Sequence, residues 1–140
     1  MAKLTTSISK VSETKAENIF RGFYGADVFI EKSAIPSEYG FTSKKGTQYS
    51  GYPDFFLDHK DFAIFVEAKP LKHSAAEEDV KFYIENNNIH KDIVGIAVSG
   101  QELNQIKVTY FFKLYGNKEI KNFLVKDKLL TLEEGNYTET

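Results

Sequence analysis

Asp54, Glu67 and Lys69 are the residues of this chain whose types and spacing can do chemistry. Glu67 and Lys69 lie two apart in the run Phe62 to Lys69, so the period of a β-strand puts them on one face, with Ile64, Val66 and Ala68 on the other. If Asp58 to Asp61 form the turn of a hairpin, Leu57 falls opposite Phe62 and Asp54 opposite Phe65. Asp54 is then diagonal to Glu67 on the same face, with β-carbons about 7 Å apart. Two carboxylates at that spacing can lean onto one hard cation, whose oxygen ligands lie roughly 2.0 to 2.1 Å away for magnesium. A lysine alongside can offset negative charge on a reacting group. The strand is otherwise apolar, which argues for a central position where a solvated charged pair is out of place.

The elements that must position these groups are legible around them. Ala16, Ile19, Phe20 and Phe23 follow the spacing of one buried helical stripe, with Ser12 as N-cap and Gly25 as stop. Val28 to Ile30 form a short β-prone run, followed by a long segment from Ser33 to Tyr52 rich in Ser, Gly, Lys and Tyr. Phe55 to Leu57 and Phe62 to Lys69 make the hairpin, closed by Pro70. Ser74 to Glu77 has the form of a capping box, and Glu77, Glu78 and Asp79 put negative charge in the first turn of a helix running to about Glu85. The Asn86–Asn88 run ends that helix; strands follow at Ile93–Ser99 and Ile106–Lys113. The part containing Ile120, Phe123, Leu124, Leu129 and Leu130 fits a third helix or a strand pair, and the polar end beyond Glu133 resembles a tail or linker.

Composition excludes several classes of function. At 140 residues, with 41% hydrophobic residues, the chain suits one domain with its own core. It has no cysteine, which removes thiolate catalysis and Cys-based zinc sites and agrees with a cytoplasmic location. No apolar run reaches the roughly 20 residues of a membrane span, so no membrane partner is expected. Eighteen basic against 20 acidic residues give a formal charge of -2, so any nucleic-acid affinity must be local. Lys44, Lys45 and Lys72, with His73, are the candidate phosphate contacts, and Tyr83 can pack over the site. His59, His73 and His90 lack metal-ligand spacing and read as exposed loop residues, while Phe111, Phe112 and Tyr115 read as core. There is no phosphate-binding glycine loop.

Gly51-Tyr52-Pro53-Asp54, followed by Phe65-Val66-Glu67-Ala68-Lys69-Pro70, resembles the signature of PD-(D/E)XK nucleases, in particular the N-terminal endonuclease domain of type I restriction-enzyme R subunits. The resemblance runs from the first helix through the strand at Ile93. It implies an α/β restriction-endonuclease-like αβββαβ core, a mixed central sheet flanked by helices. Residues 1–140 then form one nuclease-like domain, the N-terminal piece of a larger restriction subunit. It further implies hydrolysis of double-stranded DNA with magnesium, or manganese in its place, alongside a helicase or methyltransferase. On this resemblance Asp54, Glu67 and the backbone carbonyl of Ala68 hold the ion, and Lys69 orients the water and neutralises the transition state. Lys69 is given an electrostatic role, because neighbouring carboxylates stabilise its charged form and oppose proton abstraction. An acidic residue of the first helix supports the metal in that family; Glu17 takes that place, with Glu13 one turn earlier as the competitor. The type I subfamily often carries Gln and Tyr four residues apart in the helix after the lysine strand; here Asp79 stands at the first position and Tyr83 at the second. The alternative is a catalytically silent DNA-binding or assembly module on the same scaffold.

Overall fold

A computed structural model describes residues 15–25, 27–41 and 52–126. Helix α1 (15–24) buries Ala16 and Phe20 and packs Ile19 beside them, while Phe23 stays 39% exposed and meets Tyr24 edge-on. Gly25 ends the helix at φ +102°, donating its N–H to the Arg21 carbonyl at 2.8 Å, a left-handed stop that glycine takes at least cost. Ser12, Glu13, Lys44, Lys45, Leu129 and Leu130 lie outside the described residues.

Strands β1 (Ile30–Glu31), β2 (Phe55–Asp58), β3 (Phe62–Lys69), β4 (Asp92–Ser99), β5 (Lys107–Lys113) and β6 (Lys121–Lys126) form one sheet in sequence order. Every neighbouring pair is antiparallel except β3–β4. A parallel pair needs a crossover, and helix α2 (His73–Glu85) supplies it. The C-terminal alternative between helix and strand is thereby settled for residues 121–126, which pair with β5.

The sheet is apolar on both faces because each is covered. On the α1 side, Phe20 meets Phe29 and Phe55 at ring centroids of 4.9 and 4.8 Å, above Ile64, Val66 and Ala68 of β3. On the α2 side, Ala76, Val80, Tyr83 and Ile84 press on Ala63, Phe65, Ala97 and Phe111. Burying each such phenylalanine contributes about 2–3 kcal/mol. Thr109 and Phe111 of β5 are fully buried, Phe111 as expected of a core residue, because α2 lies over that face too. Tyr115, expected in the core, is 62% exposed at the turn after β5.

Two local expectations are corrected. The hairpin turn is shorter than four residues: His59 N–H bonds the Phe62 carbonyl at 2.9 Å, closing the loop over Lys60 and Asp61. Leu57 therefore pairs with Ile64 instead of Phe62, a two-residue shift that leaves every side chain on its expected face. Helix α2 starts at His73 after Lys72, which makes no side-chain cap, so Ser74 is not the cap. Its far end fits the asparagine reading: Asn87 Nδ2 donates to the Tyr83 and Ile84 carbonyls, and Asn86 Nδ2 to that of Phe82.

Candidate functional site

The site forms where β2 begins and β3 ends, under α2. The β2–β3 ladder stops at the pair Phe55–Val66, and Asp54 lies one step beyond it. Its N–H donates to the Val66 carbonyl at 2.9 Å, and its own carbonyl accepts the Lys32 N–H at 3.0 Å. Its carboxylate then takes the Ala68 N–H on Oδ2 at 2.9 Å, a donor that the ended ladder leaves to it. Asp54 is thus fixed at the strand end by main chain on both sides. Within a strand the N–H and carbonyl of one residue point to the same edge, so the Ala68 carbonyl leaves β3 on the side of Asp54.

Glu67 is 3% exposed. Its Oε1 accepts the Tyr83 hydroxyl at 3.1 Å, and its Oε2 lies 3.3 Å from Lys69 Nζ. Lys69 Nζ also lies 3.2 Å from Asp79 Oδ2 on α2, and Lys32 Nζ lies 3.2 Å from Asp54 Oδ1. Burial, and then the negative charge of Asp54, push the Glu67 carboxyl up to about 8, against the pull of Lys69 and Lys32. Burial pulls Lys69 down, but the charges of Glu67 and Asp79 outweigh it and raise the ammonium above its ordinary value. Lys32 is raised in the same way by Asp54 and Glu67 against its own burial.

Asp54, Glu67, Ala68 and Lys69 are therefore brought together, Asp54 through the Ala68 N–H and through its charge acting on Glu67. Glu17 sits on α1, where it pairs with Arg21 at 3.8 Å, and the charges that act on Glu67 are those of Asp54, Lys69, Lys32 and Asp79. Among the described residues no three histidines, cysteines or acids converge as a metal-binding group. The donor set still suits magnesium, which is commonly held by one or two carboxylates with water and substrate phosphate completing its shell. Asp54 and Glu67 are hard oxygen donors whose mutual repulsion a cation relieves. Lys72 is exposed just before α2, whereas Tyr83 is 1% exposed and hydrogen-bonded to Glu67. Tyr83 therefore supports the acid from beneath and does not offer a surface to DNA.

Lys32 and Asp79 escaped the sequence reading as site residues. Asp79 had a usable signal, since it stands four residues before Tyr83 and so shares its helix face. Lys32 had none, because only the pairing of Glu31 with Phe55 brings it to Asp54.

A second polar cluster adjoins this one. His73, expected in an exposed loop, opens α2 with its side chain mostly buried. Its Nδ1 lies 2.8 Å from Ser99 Oγ and its Nε2 2.7 Å from Thr109 Oγ1; the Thr109 hydroxyl donates to Glu77 at 2.6 Å. Because that hydroxyl is spent on a carboxylate, Thr109 Oγ1 accepts from Nε2–H, and Nδ1 of the neutral ring accepts from Ser99. Burial first, and then Lys107, hold the His73 pKa below its ordinary value against the pull of Glu77. His59 and His90 are exposed as expected. Comparisons with protein-family models, with curated proteins and with solved structures give no match for this chain.

Proposed function

We propose that this chain is a magnesium-dependent endonuclease domain with a restriction-endonuclease-like core that hydrolyses DNA phosphodiester bonds. The observation that carries this reading is the buried pair Asp54 and Glu67 with Lys69 two residues on, at one end of β3. The chemistry supplied on metal binding is that of a Lewis acid, lowering the pKa of a water and offsetting phosphate charge. Asp54, Glu67 and the Ala68 carbonyl are the residues to hold the metal. Tyr83 and the Ala68 N–H fix one oxygen of each carboxylate, so the pair is oriented before any ligand arrives. Lys69 keeps its proton beside Glu67 and Asp79, so it orients a water and stabilises an anionic phosphoryl group without acting as a base. Supercoiled plasmid with magnesium tests the reading: Asp54→Ala and Lys69→Ala should lose cleavage while keeping their circular dichroism, and full activity in either variant sinks it. Cytoplasmic location, and attachment to a helicase or methyltransferase of a restriction complex, belong to the same proposal.

A silent DNA-binding or assembly module is the second reading. It is favoured by the fact that every carboxylate oxygen of Asp54 and Glu67 already faces a protein donor. Calorimetry with manganese separates the two: heat of binding that Asp54→Ala removes supports the nuclease, and no heat in the parent chain with duplex binding intact supports the silent module.

A further inference from the structure

Beyond Lys69 the end of the sheet carries a second feature that the carboxylate site does not use. In register, Lys69 pairs with Ser99, Ser99 with Lys107, and Lys107 with Lys126. A row of three lysine positions therefore crosses the sheet from the candidate site toward β6. Beside the row lies a cavity of about 180 Å³, walled by Pro70, Leu71, Ser99, Gly100 and the polar residues Gln101, Gln105 and Lys107. One water occupies roughly 30 Å³ of liquid, so a phosphate group and part of its hydration fit.

Lys107 differs in charge balance from the paired cations, and from the other unpaired lysines in lining this cavity. Arg21 pairs with Glu31, Lys32 with Asp54, Lys69 with Glu67 and Asp79, and Lys91 with Asp58. Among the described residues Lys107 has no carboxylate at ion-pair distance, although Glu77 lies nearby on Thr109. An ammonium left uncompensated beside two side-chain amides is a receptor for an oxyanion.

We propose that this cavity is a subsite for a backbone phosphate of DNA, held by Lys107 with the amides of Gln101 and Gln105 and flanking the phosphate at Lys69. Its placement along a DNA strand rests on the nuclease reading above. Two strand spacings separate β3 from β5, about 10 Å, which is about three nucleotide rises along one strand. The His73 cluster gives the subsite its own signature. With neutral His73 the Ser99 proton points inward to Nδ1. Protonating His73, which faces Glu77 of α2, Ser99 of β4 and Thr109 and Lys107 of β5, reverses that bond and frees the Ser99 proton for an anion. A bound phosphate must therefore raise the His73 pKa.

The test titrates metal-free protein with inorganic phosphate and follows backbone amides and the His73 ring by NMR. Saturable shifts confined to residues 99–107, with the His73 pKa rising and both effects lost in Lys107→Ala but kept in Lys118→Ala, are expected. Scattered shifts, or shifts unchanged in Lys107→Ala, overturn the subsite. A second arm uses a short duplex in EDTA: Lys107→Ala should weaken binding about three- to ten-fold and reduce the salt slope by about one, with Lys107→Arg restoring it. If phosphate titrates but duplex binding ignores Lys107, the site takes a small anion and the DNA assignment is wrong. Neither arm needs cleavage or a metal ion. A failed nuclease assay is therefore distinguishable from a failed subsite.

Discussion

The Tyr83 hydroxyl donates to Oε1 of Glu67 at 3.1 Å and so ties helix α2 to the strand that carries the acid and the lysine. Both partners are at least 97% buried. Removing the donor leaves a buried carboxylate oxygen unpaired, which costs about 1–3 kcal/mol. Tyr83→Phe should therefore lower unfolding free energy by about that amount and push the Glu67 pKa higher still. Equilibrium denaturation in EDTA reads the first effect and carboxyl NMR the second; an unchanged Glu67 titration removes Tyr83 from the site.

Glu67 sets the pH dependence of the metal-free fold. Its pKa rises from an ordinary 4.5 to about 8 on folding, so folding favours the protonated form. That contribution is full below about pH 4.5 and is lost as the pH climbs through about 8. The parent chain should lose on the order of 3 kcal/mol relative to Glu67→Gln between pH 5 and pH 9. Denaturation curves at both pH values in EDTA provide the measurement. Parallel pH profiles for the two proteins contradict the buried, repelled carboxylate.

Much of this architecture was legible in the sequence because it rests on periodicity. Alternation in Phe62–Lys69 sorted Glu67 and Lys69 from Ile64, Val66 and Ala68, and a hairpin register wrong by two residues still left the paired residues Phe55 to Asp58 on their expected faces, since two is the period of the strand. What escaped depends on which elements meet in space. His73 reads as a loop residue until β4 and β5 bring Ser99 and Thr109 to it, and Lys32 means nothing until β1 pairs with β2. Thr109 on β5 is no different: its partners are His73 and Glu77, 36 and 32 residues away.

Close packing of α2 on β4 depends on Gly95. A β-carbon there meets Val80 Cγ1 at 2.4 Å and Ile84 Cδ1 at 2.8 Å. Gly95→Ala should therefore cost about 1–3 kcal/mol and Gly95→Val more, as overpacking pushes the helix off the sheet. Thermal melts report the loss. Because α2 carries Tyr83 and Asp79, either variant should also broaden the NMR signals around Lys69. A Gly95→Val protein as stable as the parent shows that α2 can lift without penalty.

Lys32 occupies the place beside Asp54 that a cation held by this carboxylate would have to share. Its Nζ lies 3.2 Å from Oδ1, and its positive charge opposes the rise in the Glu67 pKa. In the metal-free chain it partly offsets the repulsion between the two carboxylates, so Lys32→Ala should lower stability by about 1 kcal/mol, a small figure because the side chain is half exposed. In the presence of manganese the sign reverses, since the variant no longer has to displace an ammonium. Affinity for manganese should rise by about three- to ten-fold, corresponding to at most about 1.4 kcal/mol. Titration calorimetry at pH 8.5, where more of Glu67 is ionised, measures both proteins side by side. Tighter metal binding together with a weaker apo fold is the outcome that a shared position at Asp54 requires. If affinity falls instead, Lys32 helps to build the metal site and does not compete for it.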